Sequence, residues 1–292
     1  MAQEIAKFFF SLRRRFFGDP PPRVAVVKLY GIIAAGGRFR QNLSLESVTS
    51  QIEHAFGTPG LSAVALLINS PGGSPVQSAM ICKRIRDLAR ERDVPVLAFA
   101  EDLAASGGYM LALAADEIFA NESSIVGSIG VVSSGFGFKE AIKKLGIERR
   151  LYTAGESKAM LDAFQDEDAK DVTRLKEIQH ELHENFKKLV RDRRGKRLKG
   201  LRSRIFSGEV FTGAEAVKMG LIDGIGDART VLRARFGNNV KLRMFAVKKK
   251  RLGALFGLNS TSSEFGGGDL ADLPRGLLSA VEERLWWNKF GL

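Results

Sequence analysis

The sequence predicts an α/β fold, and three observations carry that prediction. Short apolar runs at residues 24–30, 63–68 and 96–105 recur with amphipathic helical patterns between and after them. Polar or glycine-rich turns stand at the ends of these runs, where alternating strands and helices place functional groups. The chain has 292 residues, 45% of them hydrophobic and 27% charged, so it can bury a sizeable core and has the composition of an ordinary globular protein.

Residues 1–18 set Ile5, Phe8, Phe9, Leu12 and Phe16 at helical spacing among Lys7 and Arg13 to Arg15. The apolar run falls short of the roughly 20 residues that span a bilayer, and no small-residue cleavage site follows it. Such a segment suits a membrane interface or a packed contact with the protein or a partner. Asp19-Pro-Pro-Pro22 cannot continue a helix and reads as a stiff linker, so residues 1–22 stand apart from a domain at 23–247.

Within that domain the strand at 24–30 precedes a helix at 44–56 and a strand at 63–68. The turn Asn69-Ser-Pro-Gly-Gly-Ser74 then enters a helix through Arg90, with Ile81, Ile85 and Leu88 on one face. Strand, turn and helix recur at 94–115, and a strand, a glycine-rich turn and a second strand fill 117–132. Residues 147–153 read as a further strand, and 154–160 as the loop leaving it. A long helix at 166–194 spaces Val172, Leu175, Ile178, Leu182, Phe186 and Leu189 three or four apart, with an acidic start and a basic end that suit the helix dipole. Thr212-Gly-Ala-Glu215 is a capping box that opens a short helix, Gly220 closes it, and 221–226 return as a turn. Residues 248–292 differ in composition: a lysine-rich start, a Ser/Gly-rich linker at 259–268, and an amphipathic end with Leu277, Leu278, Val281, Leu285 and Trp286. Trp287 and Lys289 beside that stripe suit a membrane interface or another subunit equally.

A net charge of +12 implies attraction to an anionic surface. The cations gather at 13–15, 191–204 and 248–251, without stacking aromatics in the middle run. That run therefore reads as a solvated face, and no nucleic-acid partner is expected. The single cysteine, Cys82, excludes an internal disulfide framework and a multi-cysteine metal site, and reads as a small core residue.

Ser106 stands where an apolar strand turns into a helix of small residues. A nucleophilic serine needs a base for its proton and donors for the oxyanion it creates. The first amides of a helix lack intrahelical partners and can donate, and Gly107 and Gly108 let a substrate approach that backbone closely. A serine here also suits a plain helix cap. Gly73, in the Pro-Gly-Gly turn at the end of the preceding strand, offers a second amide opposite that of Gly107. The base is less plain. None of His54, His180 and His183 lies in a glycine-rich turn, and the three-residue spacing of His180 and His183 fails the metalloprotease pattern, so both read as ordinary helix positions. Lys158, in Gly155-Glu-Ser-Lys158, remains as a candidate. Most loop lysines are solvated charges, and a lysine acts as a base only where apolar surroundings disfavour its charged form.

Five motifs taken together resemble the signal peptide peptidase A family of Ser-Lys proteases, in its short, single-repeat form. They are Asn69-Ser-Pro-Gly-Gly-Ser74, Ala104-Ala-Ser-Gly-Gly-Tyr109, Gly127-Ser-Ile-Gly-Val131, Gly155-Glu-Ser-Lys158 and Phe211-Thr-Gly-Ala-Glu-Ala216. The resemblance covers residues 24–236 and keeps the motif order. It implies Ser106 as nucleophile, Lys158 as general base, Gly73 and Gly107 as the oxyanion hole, and Ser128 as the serine that hydrogen-bonds the lysine amine. It also implies the spiral of β-β-α units shared with Clp-type proteases and crotonases. A homo-oligomer is implied too, whose subunits share active sites, along with small or unfolded polypeptide substrates, signal-peptide remnants among them. No metal or cofactor is expected. Members of that family carry an N-terminal membrane anchor. Here the Phe-rich segment stands in its place, so the expectation is a cytoplasmic protein with peripheral contact at the inner membrane face through residues 1–18 and 270–292. A crotonase-like acyl-CoA hydratase or thioesterase, and a non-enzymatic membrane-surface scaffold, are the alternative readings.

Overall fold

A computed structural model describes residues 20–35, 42–155, 157–246, 287, 288 and 290. The expected N-terminal amphipathic segment, the Ser/Gly-rich linker and the apolar stripe at 277–286 lie outside the described residues.

The frame is a parallel sheet. Strand β1 (Arg23–Tyr30) leads through α1 (Leu45–Phe56) to β2 (Leu61–Ser70), and α2 (Pro75–Arg92) leads on to β3 (Val96–Ala105). These strands pair in parallel, Val26 opposite Ala65 and Leu66 opposite Ala98, with β2 between the other two. Alternate residues separate the two faces, as the pleat requires. Ala25, Val27, Val64, Leu66, Val96 and Ala98 face a large core shared with the helices. Val24, Val26, Ala63, Ala65, Leu97 and Phe99 face a smaller one closed by Leu232. Burial on both faces explains why these strands read as continuous apolar runs.

After β3 come α3 (Gly107–Ala112), β4 (Glu117–Ala120) and β5 (Ile125–Gly127). β3 serves two partners in succession: Leu97 to Ala100 pair with β4, and Leu103 to Ala105 pair with β5. The handover falls between Ala100 and Leu103, within the second half of β3. The chain continues through α4 (Lys139–Lys144) and α5 (Ala169–Arg194), then α6 (Arg202–Ile205), β6 (Val210–Thr212), α7 (Gly213–Met219), β7 (Gly224–Ile225), α8 (Ala228–Phe236) and β8 (Lys241–Phe245). β6 pairs antiparallel to β5, β7 pairs with β4, and β8 pairs with the free side of β1.

Thr212 caps α7 as expected, its side chain accepting from Glu215 N, and Gly220 ends the helix at φ 72°. The Glu215 carboxylate pairs with Arg204 instead of closing the box, and a reciprocal capping box forms at Ser44, which the sequence did not mark: its side chain accepts from Ser47 N while Ser47 Oγ accepts from Ser44 N. Residues 147–153 are the exception. They form no strand and stand exposed, with no neighbouring strand to take up their backbone groups. Their β-branched and aromatic content is that of a strand, but a strand exists only through its pairing. Most of 132–155 is exposed, with Phe136 80% and Tyr152 89% exposed and no buried residue in α4, while 159–164 are half-buried and Leu161 N donates to Asp171 of α5.

The basic run 191–204 is not simply a solvated face. The Arg194 side chain is 2% exposed and donates to both Asp223 oxygens, at 2.7 and 3.1 Å, and to Gly220 O. Arg193 donates to Leu113 O and Ala115 O at 2.8 and 2.7 Å. Cys82 is a core residue as expected, and burial pushes its thiol up to about 11. At Asp223, burial alone would raise the carboxyl. Arg194 and the donated Ile118 N–H outweigh it and hold the group below the usual carboxylate range.

Arg194→Ala leaves that carboxylate half-buried without its main partner. A loss of about 3 kcal/mol is expected, the low end for breaking a buried pair because Asp223 keeps some water. A depressed folded pKa stabilises above the unfolded value of about 3.9 and is lost as pH falls through the folded value. Denaturant titrations should therefore show a weaker acid dependence below about pH 4 in the variant than in the parent.

Candidate active site

Ser106 follows the last residue of β3 and precedes the first of α3, at φ 52° and ψ −121°. Non-glycine residues rarely occupy this region, because Cβ crowds the backbone there. The serine stands in the capping position, yet its side chain makes no capping hydrogen bond. The cap reading therefore fails. Ser106 N donates to Gly127 O at 2.8 Å, which ties the turn to the end of β5.

That tie places a second serine alongside. Ala105 lies opposite Gly127 in the parallel register, so Ser106 and Ser128 leave adjacent strands side by side. Ser128 also has positive φ, 51°, and its N–H donates to Glu209 O at 2.8 Å. Both serines line one cavity of about 360 Å³, together with Gly73, Pro71, Pro75, Gly130, Val131, Val132, Ser207, Gly208 and Phe290.

The Pro-Gly-Gly turn presses directly on this point. Gly72 and Gly73 have φ of 100° and 137°. A Cβ on Gly72 would stand 2.7 Å from Gly107 N and 2.8 Å from Ser106 Cβ, and one on Gly73 would run into Ile33 O. Ile33 N donates to Gly72 O, Ser74 N donates to Ile33 O, and Gly72 N donates to Ser70 Oγ, so the turn is pinned without the Gly73 amide. Gly107 N is the first amide of α3, where no intrahelical acceptor exists. All six residues of α3 are buried, so water does not compete at its body.

Four of the five residues singled out from sequence thus converge. Ser106, Ser128 and Gly73 line the cavity, and Gly107 abuts it. Lys158 does not join them within one chain. It is exposed on the 132–165 segment, in a turn where its N–H donates to Gly155 O, and is not among the cavity's lining residues. His183 departs from the ordinary exposed helix position expected of it: its Nε2–H donates to Ile129 O at 2.9 Å, so α5 grips the loop beside Ser128. Among the described residues no group of three or more His, Cys, Asp or Glu is placed to hold a metal ion. Ser207, Gly208 and Phe290 were not visible as cavity residues in the sequence, because each reaches the site from far along the chain.

Comparisons with known proteins cover Ser106, Ser128 and much of the cavity's lining. The model of peptidase family S49 matches residues 89–241. A Brucella abortus protein named Na(+)/H(+) antiporter NhaA is 49% identical over 281 residues, covering 95% of this chain and 38% of its own. A putative signal peptide peptidase SppA from Enterococcus faecium is 27% identical, with 74% of this chain and 63% of the relative covered. A putative protease of Methanocaldococcus jannaschii is 32% identical, with 59% and 55% covered. The chain spans between 38% and 63% of the length of these relatives. The antiporter name is that of a much longer chain, and no helix among the described residues here is long and apolar enough to cross a membrane.

Gly72→Ala is expected to push the Ser106 turn out of place. Overpacking at a positive-φ glycine costs about 1–3 kcal/mol, and labelling of Ser106 by a fluorophosphonate should slow at least tenfold in protein that remains folded by circular dichroism.

Proposed function

Because the chain belongs to peptidase family S49, we propose that it is a serine endopeptidase in which Ser106 is the nucleophile and Lys158 the general base. The observation that carries this reading is the Ser106 hydroxyl, held at positive φ, free of any capping role, beside Ser128 and the glycine turn. Ser106 Oγ attacks a peptide carbonyl and passes its proton to the Lys158 amine. The Gly73 and Gly107 amides receive the oxyanion, each such donor contributing about 3 kcal/mol in the transition state. Lys158 returns the proton to the leaving amine. The acyl-enzyme is then hydrolysed by a water that gives its proton to Lys158. Ser128 Oγ accepts from the lysine N–H and orients the amine.

In this reading the lysine arrives from a second copy. A lysine acts as a base only where apolar cover disfavours its charged form. Lys158 sits on a segment whose Phe136, Leu145, Ile147 and Tyr152 are exposed, a concentration of apolar surface that fits a subunit contact. The apolar walls Pro71, Pro75, Val131 and Val132 favour polypeptides with apolar side chains, signal-peptide remnants and unfolded segments among them. The net charge of +12 fits peripheral contact with an anionic inner membrane face from the cytoplasm.

Ser106→Ala and Lys158→Ala should each reduce cleavage of an unfolded protein substrate by roughly 10⁴-fold or more. Mixed after subunit exchange, the two inactive variants should recover activity at up to about a quarter of the sites, as random placement around a closed ring allows. Full activity of either variant would refute the assignment, and no recovery on mixing would place both groups within one chain.

A further inference from the structure

Of the three histidines, one is built into the site. The His54 ring turns back on its own helix, with Nδ1 2.6 Å from Ser50 O, and His180 is exposed. His183 is half-buried and reaches 54 residues back along the chain, its Nε2 lying 2.9 Å from Ile129 O. A carbonyl only accepts, so Nε2 carries the proton. The acceptor stands between Ser128 and Gly130, which both line the cavity with Ser106.

Other contacts fix the same loop from its far side. Ser128 N donates to Glu209 O, Gly130 N donates to Ser128 O at 3.0 Å, and a Cβ on Gly130 would stand 3.0 Å from Gly208 Cα. Ser128 holds φ 51°, a conformation that persists only where its surroundings over-determine it. At Ile129 that determination comes from α5. The helix is itself anchored by Phe186 and Val190, both buried, so its place does not depend on the imidazole.

We propose that His183 is a positioning residue: its Nε2–H, by holding Ile129 O, sets where Ser128 Oγ stands and so where the Lys158 amine comes to rest beside Ser106. The effect on the reaction rests on the Ser-Lys reading above; the hold on the loop does not. The loop needs a hydrogen-bond donor there and not a group that takes up a proton, so an amide of the same reach can replace the imidazole. Glutamine places its Nε2 close to that of histidine, whereas leucine keeps the helix and the bulk and gives up the donor.

Two measurements on the full chain separate these parts. His183→Leu should speed amide hydrogen exchange in residues 127–130 about tenfold, read by mass spectrometry, while His183→Gln stays close to the parent. With an unfolded protein substrate, His183→Leu should lower kcat about tenfold with a smaller change in KM, and His183→Gln should recover most of the loss. Exchange in the leucine variant equal to that of the parent overturns the hold on the loop. Faster exchange with kcat unchanged, a loss confined to KM, or an equal loss of kcat in both variants overturns the positioning role and keeps the hydrolytic reading. A Ser106→Ala protein as active as the parent overturns the hydrolytic reading and the positioning role with it, and the exchange rates then still decide whether His183 holds the loop.

Discussion

The site depends on how the end of a buried helix is satisfied. Every residue of α3 is buried, and the carbonyls that follow it, Leu113 O, Ala114 O and Ala115 O, would be costly to leave unpaired. Arg193 from α5 takes Leu113 O and Ala115 O, and Arg86 from α2 takes Ala114 O. Both guanidinium groups also reach Asp116, whose other oxygen accepts from Val96 N at the start of β3. One carboxylate therefore ties the beginning of the strand to the far end of the helix. Ser106 lies at the junction between them. Cations at the C-terminal end favour the helix dipole, which leaves the amides at Ser106 as its positive end. The same arrangement that satisfies the buried backbone thus brings a half-buried serine and the first amide of α3 to one point.

The rest of the junction is held by close approach and by a few hydrogen bonds. Gly72 lies against Ser106 and Gly107, and Gly108 lies against Ser70, at separations that leave no room for a Cβ. Positive φ at Ser106 and at Ser128 costs energy that a loose loop would release. It persists because Ser106 N and Ser128 N are both fixed to neighbouring carbonyls, and because His183 holds the following residue through Ile129 O. The long helix α5 therefore supports the site from two sides, at His183 and at Arg193.

Hydrophobic periodicity made most of this fold legible in the sequence. The strands buried on both faces and the helices with one apolar face announced themselves, as did the glycine turns, since only glycine tolerates those backbone angles beside another chain segment. What stayed hidden depends on distant partners. Residues 147–153 carry strand-forming side chains, but no strand lies beside them. Arg193, Arg194 and His183 look like solvated helix positions until α3, Asp223 and Ile129 are brought against them. Ser207, Gly208 and Phe290 carry no local mark of a cleft at all, because a cavity wall is a property of the folded chain rather than of a motif.

The separation of Lys158 from Ser106 within one chain has a consequence for control under the proposed mechanism. A lysine acts as a base only where its surroundings disfavour the charged form. The apolar side chains around it on the 132–165 segment are open in the single chain. Association of copies would cover those side chains, strip water from the amine and bring it to the serine in one step, so the base would come into existence only with the assembly. Activity would then follow subunit concentration by mass action. Under that mechanism an isolated chain would carry the serine and its amide donors with nothing to take the proton, and would stay inactive until assembled.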